Sequence, residues 1–375
     1  MTKNVAFFSD GTWNGPGQDE NADGVPDITN VLKLYNETAG NISLATRRLE
    51  NEQEKVLADP DGATIQVAKY IHGVGDSGNA LIKILGGTFG AGIVERIVRG
   101  YTFVSRNCDP GDPIFLVGFS RGAYTVRALG GMITKVGLLD RRVVDLEDKE
   151  RAYRYGLAAW TRYRRKANKS SSLLDYIDDF RAVPIPDNGL LPDVRIRAIG
   201  VWDTVGSLGI PEYAVDDRRR DIFQFADTAL NPNVALGSHA LAIDEQRADF
   251  SPTHWDQREG IEECWFAGAH ADVGGGYPDC GLSDIALDWM KARLIGAGVL
   301  FAKPPRYRPQ SNELAAIHEP WKEPIWLVAK HYIRVIDPKA TLDATVVRRL
   351  QARLTDYPTE ALRVYLAATN ATGYA

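Results

Sequence analysis

Short apolar runs alternate along this chain of 375 residues with longer segments of helical periodicity. The short runs are rich in β-branched and aromatic residues and predict strands at Asn4–Ser9, Thr64–His72, Pro113–Phe119, Val194–Trp202 and Glu263–Ala267. Apolar residues at helical spacing predict helices at Gly90–Arg106, Gly122–Val136, Lys149–Lys166 and Ser283–Ala297. Because strands that alternate with helices build a sheet covered on both faces, we predict an α/β fold with a mostly parallel sheet flanked by helices.

The chain has the length of one large domain that carries insertions. We predict a single domain over residues 1–375, because any cut would separate the strand ends that carry the strongest motifs. Two segments have the composition of insertions: residues 11–30 form a loop rich in Gly, Asn and Asp, and residues 140–193 contain an Arg-rich aromatic helix that we interpret as a cap. From about residue 304, Pro and charged residues increase, and we expect this tail to wrap the core.

Composition and charge exclude several classes of protein. Hydrophobic residues make up 44% of the chain and charged residues 25%, which is typical of globular proteins and excludes disordered or fibrous chains. The net charge of −5 provides no basic field for nucleic acid, and we expect no such partner. Three cysteines are too few for a disulfide scaffold. The sequence shows no signal-peptide core and no membrane-spanning run, which predicts a cytoplasmic location in the producing cell.

The strongest chemical signal is Gly118-Phe-Ser120-Arg121-Gly122, a G-x-S-x-G motif between a predicted strand and a predicted helix. A strand that turns sharply into a helix leaves the serine on a strained backbone with its hydroxyl projecting, and the glycines remove Cβ atoms that would collide. This context predicts that Ser120 is a nucleophile and that the Arg121 backbone N–H binds a developing oxyanion. The alternative is a structural serine in a glycine-rich turn.

A serine nucleophile needs a base, and the base needs an acid to orient it. In α/β-hydrolases these residues follow in the order Ser, acid, His, so both partners are sought after Ser120. Asp203 ends a predicted strand, where open α/β sheets place ligands, although an Asx turn or helix N-cap is the alternative role. His270 opens a glycine-rich loop after a late strand and is the favoured base. His254 is the second candidate base, and Asp272 is the second candidate acid.

Seven short motifs together resemble a known family. In chain order they are Phe7-Phe-Ser-Asp-Gly-Thr-Trp-Asn14, Thr29-Asn-Val31, Gly73-Val-Gly75, Gly118-Phe-Ser-Arg-Gly-Ala123, Trp202-Asp-Thr-Val205, Ala240-Leu-Ala-Ile-Asp-Glu245 and His270-Ala-Asp-Val-Gly-Gly-Gly-Tyr277. Spread over about residues 4–290, they resemble the α/β-hydrolase domain of type VI secretion phospholipase effectors. The resemblance implies lipase-type chemistry carried by Ser120, Asp203 and His270. It also implies that the segment after the first strand supplies the second oxyanion donor or shapes the pocket floor, through Asp10, Gly11 and Thr12.

These motifs predict a serine hydrolase that cleaves a carboxylic ester through an acyl-enzyme, and the expected substrate is a lipid or phospholipid acyl ester. The chemistry requires no cofactor. The resemblance further implies export by a type VI system, a cognate immunity or delivery protein as partner, and peripheral contact with a membrane. The alternative hypothesis is a noncatalytic α/β module that binds a partner or a membrane surface.

Two further motifs indicate candidate binding sites. The segment from 19 to 27 repeats the opening of a calcium loop, with candidate ligands Asp19, Asn21, Asp23 and Asp27. Because Asn30 stands where such loops carry a bidentate Glu, a hydrated polar loop is the favoured alternative to a structural Ca²⁺ site. Residues 73–78 match a dinucleotide fingerprint, but no second strand ending in an acid follows at the required spacing.

The predicted helix of the second insertion carries a basic run. Seven basic residues and no acidic ones lie between Arg151 and Lys169, interleaved with aromatic residues. Such a segment can lie on an anionic lipid surface. The favoured alternative is a solvated helix face backed by a packed aromatic stripe.

Overall fold

A nine-stranded mixed sheet forms the centre of the part of the chain that the structure describes. This computed structural model describes residues 2–11, 27–49, 51–73, 89–166, 181–205, 229–324, 326, 330–352, 354 and 357–369. The strands are β1 (Asn4–Ser9), β2 (Asn41–Ile42), β3 (Glu52–Ala58), β4 (Thr64–Ile71), β5 (Ile114–Phe119), β6 (Leu138–Leu139), β7 (Leu190–Leu191), β8 (Ile196–Trp202), β9 (Val234–Ala242), β10 (Ile261–Phe266) and β11 (Thr341–Leu342). The helices are α1 (Asn30–Glu37), α2 (Phe89–Asn107), α3 (Arg121–Val136), α4 (Lys149–Lys166), α5 (His270–Gly274), α6 (Gly281–Ala297), α7 (Ala344–Gln351) and α8 (Glu360–Ala368).

The strand order in the large sheet is β11-β10-β9-β8-β5-β1-β4-β3-β2, and β6 pairs with β7 separately. Strands from β11 to β4 run parallel, whereas β3 and β2 extend one edge in antiparallel pairing. The predicted α/β class with a mostly parallel sheet is confirmed. All the predicted strands and helices are present, with ends that differ from the prediction by no more than two residues.

Both faces of the sheet are covered, which explains why its central strands read as continuous apolar runs. In β1, Val5 and Phe7 join the core formed with α2, α3 and α4. Ala6 and Phe8, which point to the opposite face, join the core formed with α1 and α6. The parallel strands therefore all end at one edge of a buried sheet, and the loops that follow them lie close together.

Two longer strands were not predicted from the sequence. The edge strand β3 is charged and half-buried, because one side of the edge faces solvent. Strand β9 carries Gly237, Ser238 and His239, which interrupt its apolar signal. Because β9 lies between β8 and β10, the loops that carry Asp203 and His270 follow strands that are not direct neighbours.

The helix of the second predicted insertion belongs to the helical layer. In α4, Trp160 and Tyr163 are buried in the core shared with α2 and α3. The aromatic stripe of this helix therefore packs against the core, which is the alternative that was favoured from the sequence. The Lys166 side chain donates a 2.8 Å hydrogen bond to the Lys135 carbonyl, beside the last turn of α3. The last turn of α4 therefore lies beside the end of α3 that is remote from Ser120. Residues 167–180 lie outside the described residues, and the cap stays a prediction.

The described part of the tail packs at one edge of the sheet. Strand β11 pairs with β10, and the helices that follow it bury Val346 and Leu362 against Leu241 and Trp265. Among the described helices, none combines the length and the hydrophobicity that crossing a bilayer requires.

Candidate active site

Ser120 occupies the turn between β5 and α3 in a conformation that few L-residues adopt. Its φ is 56° and its ψ is −121°, outside the left-handed helical well, and such strain persists only where the surroundings impose it. The Ser120 N–H donates a 3.1 Å hydrogen bond to the Trp202 carbonyl on the neighbouring strand. This is the strained strand-to-helix turn that the motif predicts.

The two glycines of the motif permit close approach of three backbone segments. A Cβ at Gly118 would lie 2.5 Å from the Gly122 carbonyl oxygen, and a Cβ at Gly122 would lie 2.0 Å from the Ser9 carbonyl oxygen. Both distances are far inside van der Waals contact. The prediction that these positions exclude side chains is confirmed, and the first turn of α3 is thereby brought against the end of β1.

Asp203 lies beside Ser120 because their strands pair in register. Phe119 of β5 pairs with Trp202 of β8, so the residues that follow them emerge side by side at the same sheet edge. Asp203 also has a positive φ, 35°, and is fully buried. Its N–H donates a 2.7 Å hydrogen bond to the Ala240 carbonyl of β9, which fixes this turn between two strands.

His270 begins the short helix α5 and is directly bonded to the predicted acid. Its Nδ1 lies 2.5 Å from Asp203 Oδ2. The imidazole packs between Phe119, at a centroid distance of 4.6 Å, and Phe250, at 4.9 Å. Since Phe119 immediately precedes Ser120, the ring lies beside the nucleophile turn. Its Nε2 is buried and makes no hydrogen bond within the part of the chain that the structure describes.

The charges around this pair set its protonation. Burial alone would raise the pKa of Asp203, but the charge and hydrogen bonds of Arg334, together with the bond to His270, hold that pKa well below its usual range. Burial lowers the pKa of His270, although Asp203 acts in the opposite direction. The arrangement therefore favours an ionised Asp203 and a neutral His270 whose Nδ1–H donates to the carboxylate, leaving Nε2 as a base.

A second carboxylate fixes the backbone of His270. Glu245, buried after β9, accepts a 3.2 Å hydrogen bond from the His270 N–H. Arg247 donates to both Glu245 oxygens at 2.8 and 2.9 Å, and its guanidinium lies 3.7 Å from the centroid of the Phe250 ring. Burial would raise the pKa of Glu245, but Arg247 lowers it overall. Glu245 therefore stays ionised beneath the base.

The segment after β1 is fixed by Asp10, which is buried. Its carboxylate accepts hydrogen bonds of 2.7 Å each from Thr29 Oγ1, the Tyr70 hydroxyl and the Gly11 N–H. Burial nevertheless raises the pKa of Asp10. The Gly11 N–H donates to Asp10, and Thr12 lies outside the described residues, so the second oxyanion donor stays a prediction.

Arg121 follows the serine and begins α3, where backbone N–H groups have no intrahelical acceptor. This position at the start of a helix is the reason for the prediction that its N–H binds negative charge. Burial and the nearby cations Arg96 and Arg247 lower the pKa of the Arg121 side chain to about 9. Positive charge thus concentrates around the carboxyl end of β5.

The second candidates are paired elsewhere. His254 Nδ1 lies 2.9 Å from Glu263 Oε2, with 44% of its side chain exposed. Asp272 Oδ1 lies 2.6 Å from His318 Nδ1, and its other oxygen accepts from the Ala269 N–H and so caps α5. The structure brings together the favoured acid and base and assigns these two residues to separate pairs.

The predicted binding loops lie mostly outside the described residues. This applies to Asp19, Asn21 and Asp23 of the calcium-like loop and to residues 74–78 of the glycine-rich motif, whereas Asp27 is described and buried. Within the described ranges, no group of three or more His, Cys, Asp or Glu side chains is arranged to hold a metal ion. The calcium site stays a prediction.

Sequence reasoning missed two residues that contact the acid and the base. Glu245 follows β9 as Asp203 follows β8. Because β9 was not predicted, the sequence did not indicate that Glu245 lies after the end of a strand. Arg334 stands alone among Ile333, Val335 and Ile336, and a single charge within an apolar run is the available signal for a buried ion pair.

A model of one protein family matches residues 3–293, and its description is the catalytic domain of Tle1-like phospholipase effectors of the type VI secretion system. A curated relative, an uncharacterized protein of Saccharomyces cerevisiae, is 27% identical over 261 residues, covering 66% of this chain and 32% of the relative. The chain thus spans about a third of that relative's length.

Three solved structures resemble the chain at low TM-scores. An uncharacterized protein from Pseudomonas aeruginosa gives a TM-score of 0.42 at 17% identity, covering 82% of this chain and 48% of that one. The Tle1 effector bound to the VgrG spike gives 0.40 at 20% identity, covering 74% and 51%. The apo form of Thermogutta terrifontis esterase 2 gives 0.36 at 13% identity, covering 80% and 86%. The chain spans about half the length of the first two.

Proposed function

The chain belongs to the family of Tle1-like type VI secretion phospholipase effectors, as their catalytic domain, and from this membership we propose that it is a serine hydrolase that cleaves a lipid acyl ester. The observation that carries the proposal is the meeting at one sheet edge of a strained Ser120 with the bonded pair Asp203 and His270. Each residue follows the end of a parallel strand or the loop after it, where such sheets place their sites.

In the proposed mechanism, the Ser120 hydroxyl attacks the ester carbonyl while His270 Nε2 takes its proton. Asp203 keeps Nδ1–H oriented and stabilises the imidazolium that forms. The Arg121 N–H and an N–H near Thr12 bind the oxyanion of the tetrahedral intermediate. The alcohol then leaves with the proton from Nε2, and water, activated by the same nitrogen, hydrolyses the acyl-enzyme and restores Ser120.

The surroundings of His270 support a lipid substrate. Phe119 and Phe250 enclose the imidazole, and Trp326 packs edge-on against Phe250 at a centroid distance of 5.7 Å. Aromatic walls of this kind suit an acyl chain. The guanidinium of Arg247, which is paired with Glu245, stacks on both Phe250 and Trp326 at the same place.

Family membership also supports a route of delivery. One related structure is that of a Tle1 effector bound to a VgrG spike, and we extend this to the present chain as a proposal. In the producing cell it would await export beside a delivery protein of this kind, with an immunity protein as its inhibitor. Co-purification with the VgrG encoded by the same cell tests the first partner.

The decisive experiment is covalent labelling by a fluorophosphonate probe together with hydrolysis of short-chain p-nitrophenyl esters and phospholipid vesicles. We expect labelling and turnover by the wild type, loss of both in Ser120→Ala, and no change in Ser43→Ala, which lies beside β2 at the far edge of the sheet. Labelling of Ser120→Ala equal to that of the wild type would contradict the proposal. No turnover by any variant, with vesicle binding retained, would favour the noncatalytic alternative.

A further inference from the structure

The predicted acid is bonded to a buried arginine from the C-terminal tail. We propose that Arg334 is a positioning residue of the active site, which fixes the Asp203 carboxylate in the orientation that His270 requires. The inference rests on the proposed function. It extends the site beyond residues 3–293, the range that matches the family, to a tail segment at 330–336.

The contact between the two side chains is bidentate. Arg334 Nη1 donates to Asp203 Oδ1 at 2.6 Å, and Nη2 donates to Oδ2 at 2.8 Å. Both side chains are completely buried. A planar guanidinium fork that meets both carboxylate oxygens fixes the rotation of the carboxylate as well as its place. Oδ2 is also the oxygen that accepts from His270 Nδ1. The arginine therefore fixes the position of the carboxylate oxygen to which the imidazole is bonded.

The same guanidinium joins two other segments to the acid. Its Nη1 donates to the Ala242 carbonyl at 2.6 Å, at the end of β9, and Nη2 donates to the Phe250 carbonyl at 2.7 Å. Phe250 in turn packs against the His270 ring. One side chain therefore sets the relative positions of the acid, the adjacent strand and a wall of the base.

Backbone pairing delivers Arg334 to this place. Residues 330–332 run beside residues 246–248, where Ala248 N–H donates to the Lys330 carbonyl at 3.0 Å and Tyr332 N–H donates to the Gln246 carbonyl at 2.7 Å. This pairing directly follows Glu245, the residue that accepts from the His270 N–H. The tail is thus registered against the segment that supports the base.

Removal of Arg334 changes the charge that His270 experiences. Asp203 and Glu245 favour protonation of the imidazole, and Arg247 opposes it. The positive charge of Arg334, bonded to the same Asp203 oxygen as His270, should act in the same direction as Arg247. With Arg334 present, two carboxylates face two guanidiniums. Without it, the negative charges prevail, and the imidazolium form becomes favoured at a higher pH. In a variant without Arg334, the Ala242 N–H would still donate a hydrogen bond to the Asp203 carboxylate, as the one backbone donor among the described contacts.

The test compares Arg334→Met and Arg334→Lys with Arg349→Met. Arg349 is a matched control, because it is a buried arginine of the same tail that donates to the Glu313 and Ala315 carbonyls and not to the acid. For Arg334→Met we expect kcat/KM for a p-nitrophenyl ester to fall at least about 10-fold at pH 7 and the acid limb of its pH profile to rise by about one pH unit. Arg334→Lys should show a smaller shift.

Arg349→Met should lower the thermal midpoint without moving the limb. An unmoved limb in folded Arg334→Met would overturn the proposal, since loss of stability alone reduces the active fraction and leaves the profile in place.

A second measurement does not depend on turnover. Titration of His270 by NMR in a Ser120→Ala background, with and without Arg334→Met, should show a higher imidazole pKa when the arginine is absent. If the wild type hydrolyses no ester, the proposed function fails, while this titration still decides the role of Arg334: an equal pKa in both backgrounds overturns it.

If neither Arg334 variant folds, a crystal structure of the wild type decides. Separation of the guanidinium from the Asp203 carboxylate by more than about 4 Å would overturn the inference, and a bidentate contact would support it.

Discussion

In the proposed mechanism, the protonation state of the His270 imidazole governs the chemistry at the residue scale. His270 must be neutral to accept the serine proton, and burial lowers its pKa from the ordinary value of 6.5, with Arg247 acting in the same direction. Asp203 and Glu245 act in the opposite direction and keep the shift limited. In the resting site, the neutral His270 therefore has a lone pair on Nε2 that can accept a proton near neutral pH.

We predict that the acid limb of kcat/KM for the wild type lies below pH 6.5. Because the folded pKa is lowered, the neutral base persists as pH falls past the ordinary histidine value and is lost only at lower pH. A pH profile with a soluble ester, corrected for unfolding by circular dichroism, measures this limb. A midpoint above 6.5 would mean that the carboxylates outweigh burial and Arg247.

A second buried histidine supports the turn that carries the acid. His239 Nε2 accepts a 3.1 Å hydrogen bond from the Thr204 N–H, and its Nδ1 lies 2.9 Å from Glu263 Oε1. It is fully buried, and burial lowers its pKa, so the neutral ring can accept at one nitrogen and donate at the other. The peptide after Asp203 is thereby held in its unusual conformation.

We predict that His239→Phe lowers the free energy of unfolding by about 2–4 kcal/mol and reduces kcat/KM, because a buried N–H and the partly buried Glu263 carboxylate each lose a partner. Urea unfolding measures the first effect. His254→Phe is the matched control: it removes the other bond to Glu263 from a half-exposed ring, and we expect a loss of less than about 1 kcal/mol. Equal losses in the two variants would contradict this reasoning.

At the scale of elements, the site depends on how closely α3 approaches β1. The first turn of the helix meets the end of the strand at Gly122, with no room for a methyl group. Strand β1 cannot yield, because it is hydrogen-bonded between β5 and β4. The glycine therefore has a positional role, unlike Gly296 of α6, where a Cβ would meet no atom within 4 Å.

We predict that Gly122→Ala destabilises the protein by more than about 3 kcal/mol and abolishes fluorophosphonate labelling, because its Cβ would meet backbone that cannot shift. Gly296→Ala in α6 is the control: no atom lies within 4 Å of its Cβ, and better helix propensity should add about 0.5–1 kcal/mol. Thermal unfolding and labelling of both variants test the pair. A Gly122→Ala protein that labels normally would contradict the close approach.

The sequence predicted those elements that can be recognised from their own residues. Strands β1 and β5 were predictable because burial on both faces makes them apolar throughout. The candidate serine, acid and base were proposed from a short motif and from chain order. Strand β9 was missed because Gly237, Ser238 and His239 interrupt its apolar run. Strand β3 was missed because it lies at the sheet edge and carries charged, half-buried residues. Arg334 could not be assigned, since it meets Asp203 across 131 positions and only the folded tail brings them together.

At the scale of the whole molecule, a buried carboxyl links the tail to the loop before the base. Asp244 Oδ2 accepts a 2.6 Å hydrogen bond from the Gly268 N–H, two residues before His270, and its other oxygen accepts from Thr359 near the start of α8. Burial raises the pKa of Asp244 to about 6. The protonated form is therefore favoured by folding, so stability from this group is complete below pH 4 and is lost as pH rises through 6.

We predict that Asp244→Asn is as stable as the wild type near pH 4 and more stable by up to about 3 kcal/mol near pH 7.5, because the amide stays neutral throughout. Urea unfolding at the two pH values measures the difference between the proteins. Asp187→Asn, which removes one exposed carboxyl, controls for net charge. A difference that does not change with pH would contradict a raised pKa at Asp244.

The registration of the tail against residues 246–248 has a consequence for biosynthesis. A ribosome that has completed the proposed nucleophile, acid and base has still to make the segment that carries Arg334, so a nascent chain would hold all three proposed reacting groups before it could align them. If Arg334 acts as proposed, activity would appear late and abruptly during translation. Protease nicking between residues 301 and 330 would then be tolerated only while the severed piece stayed docked.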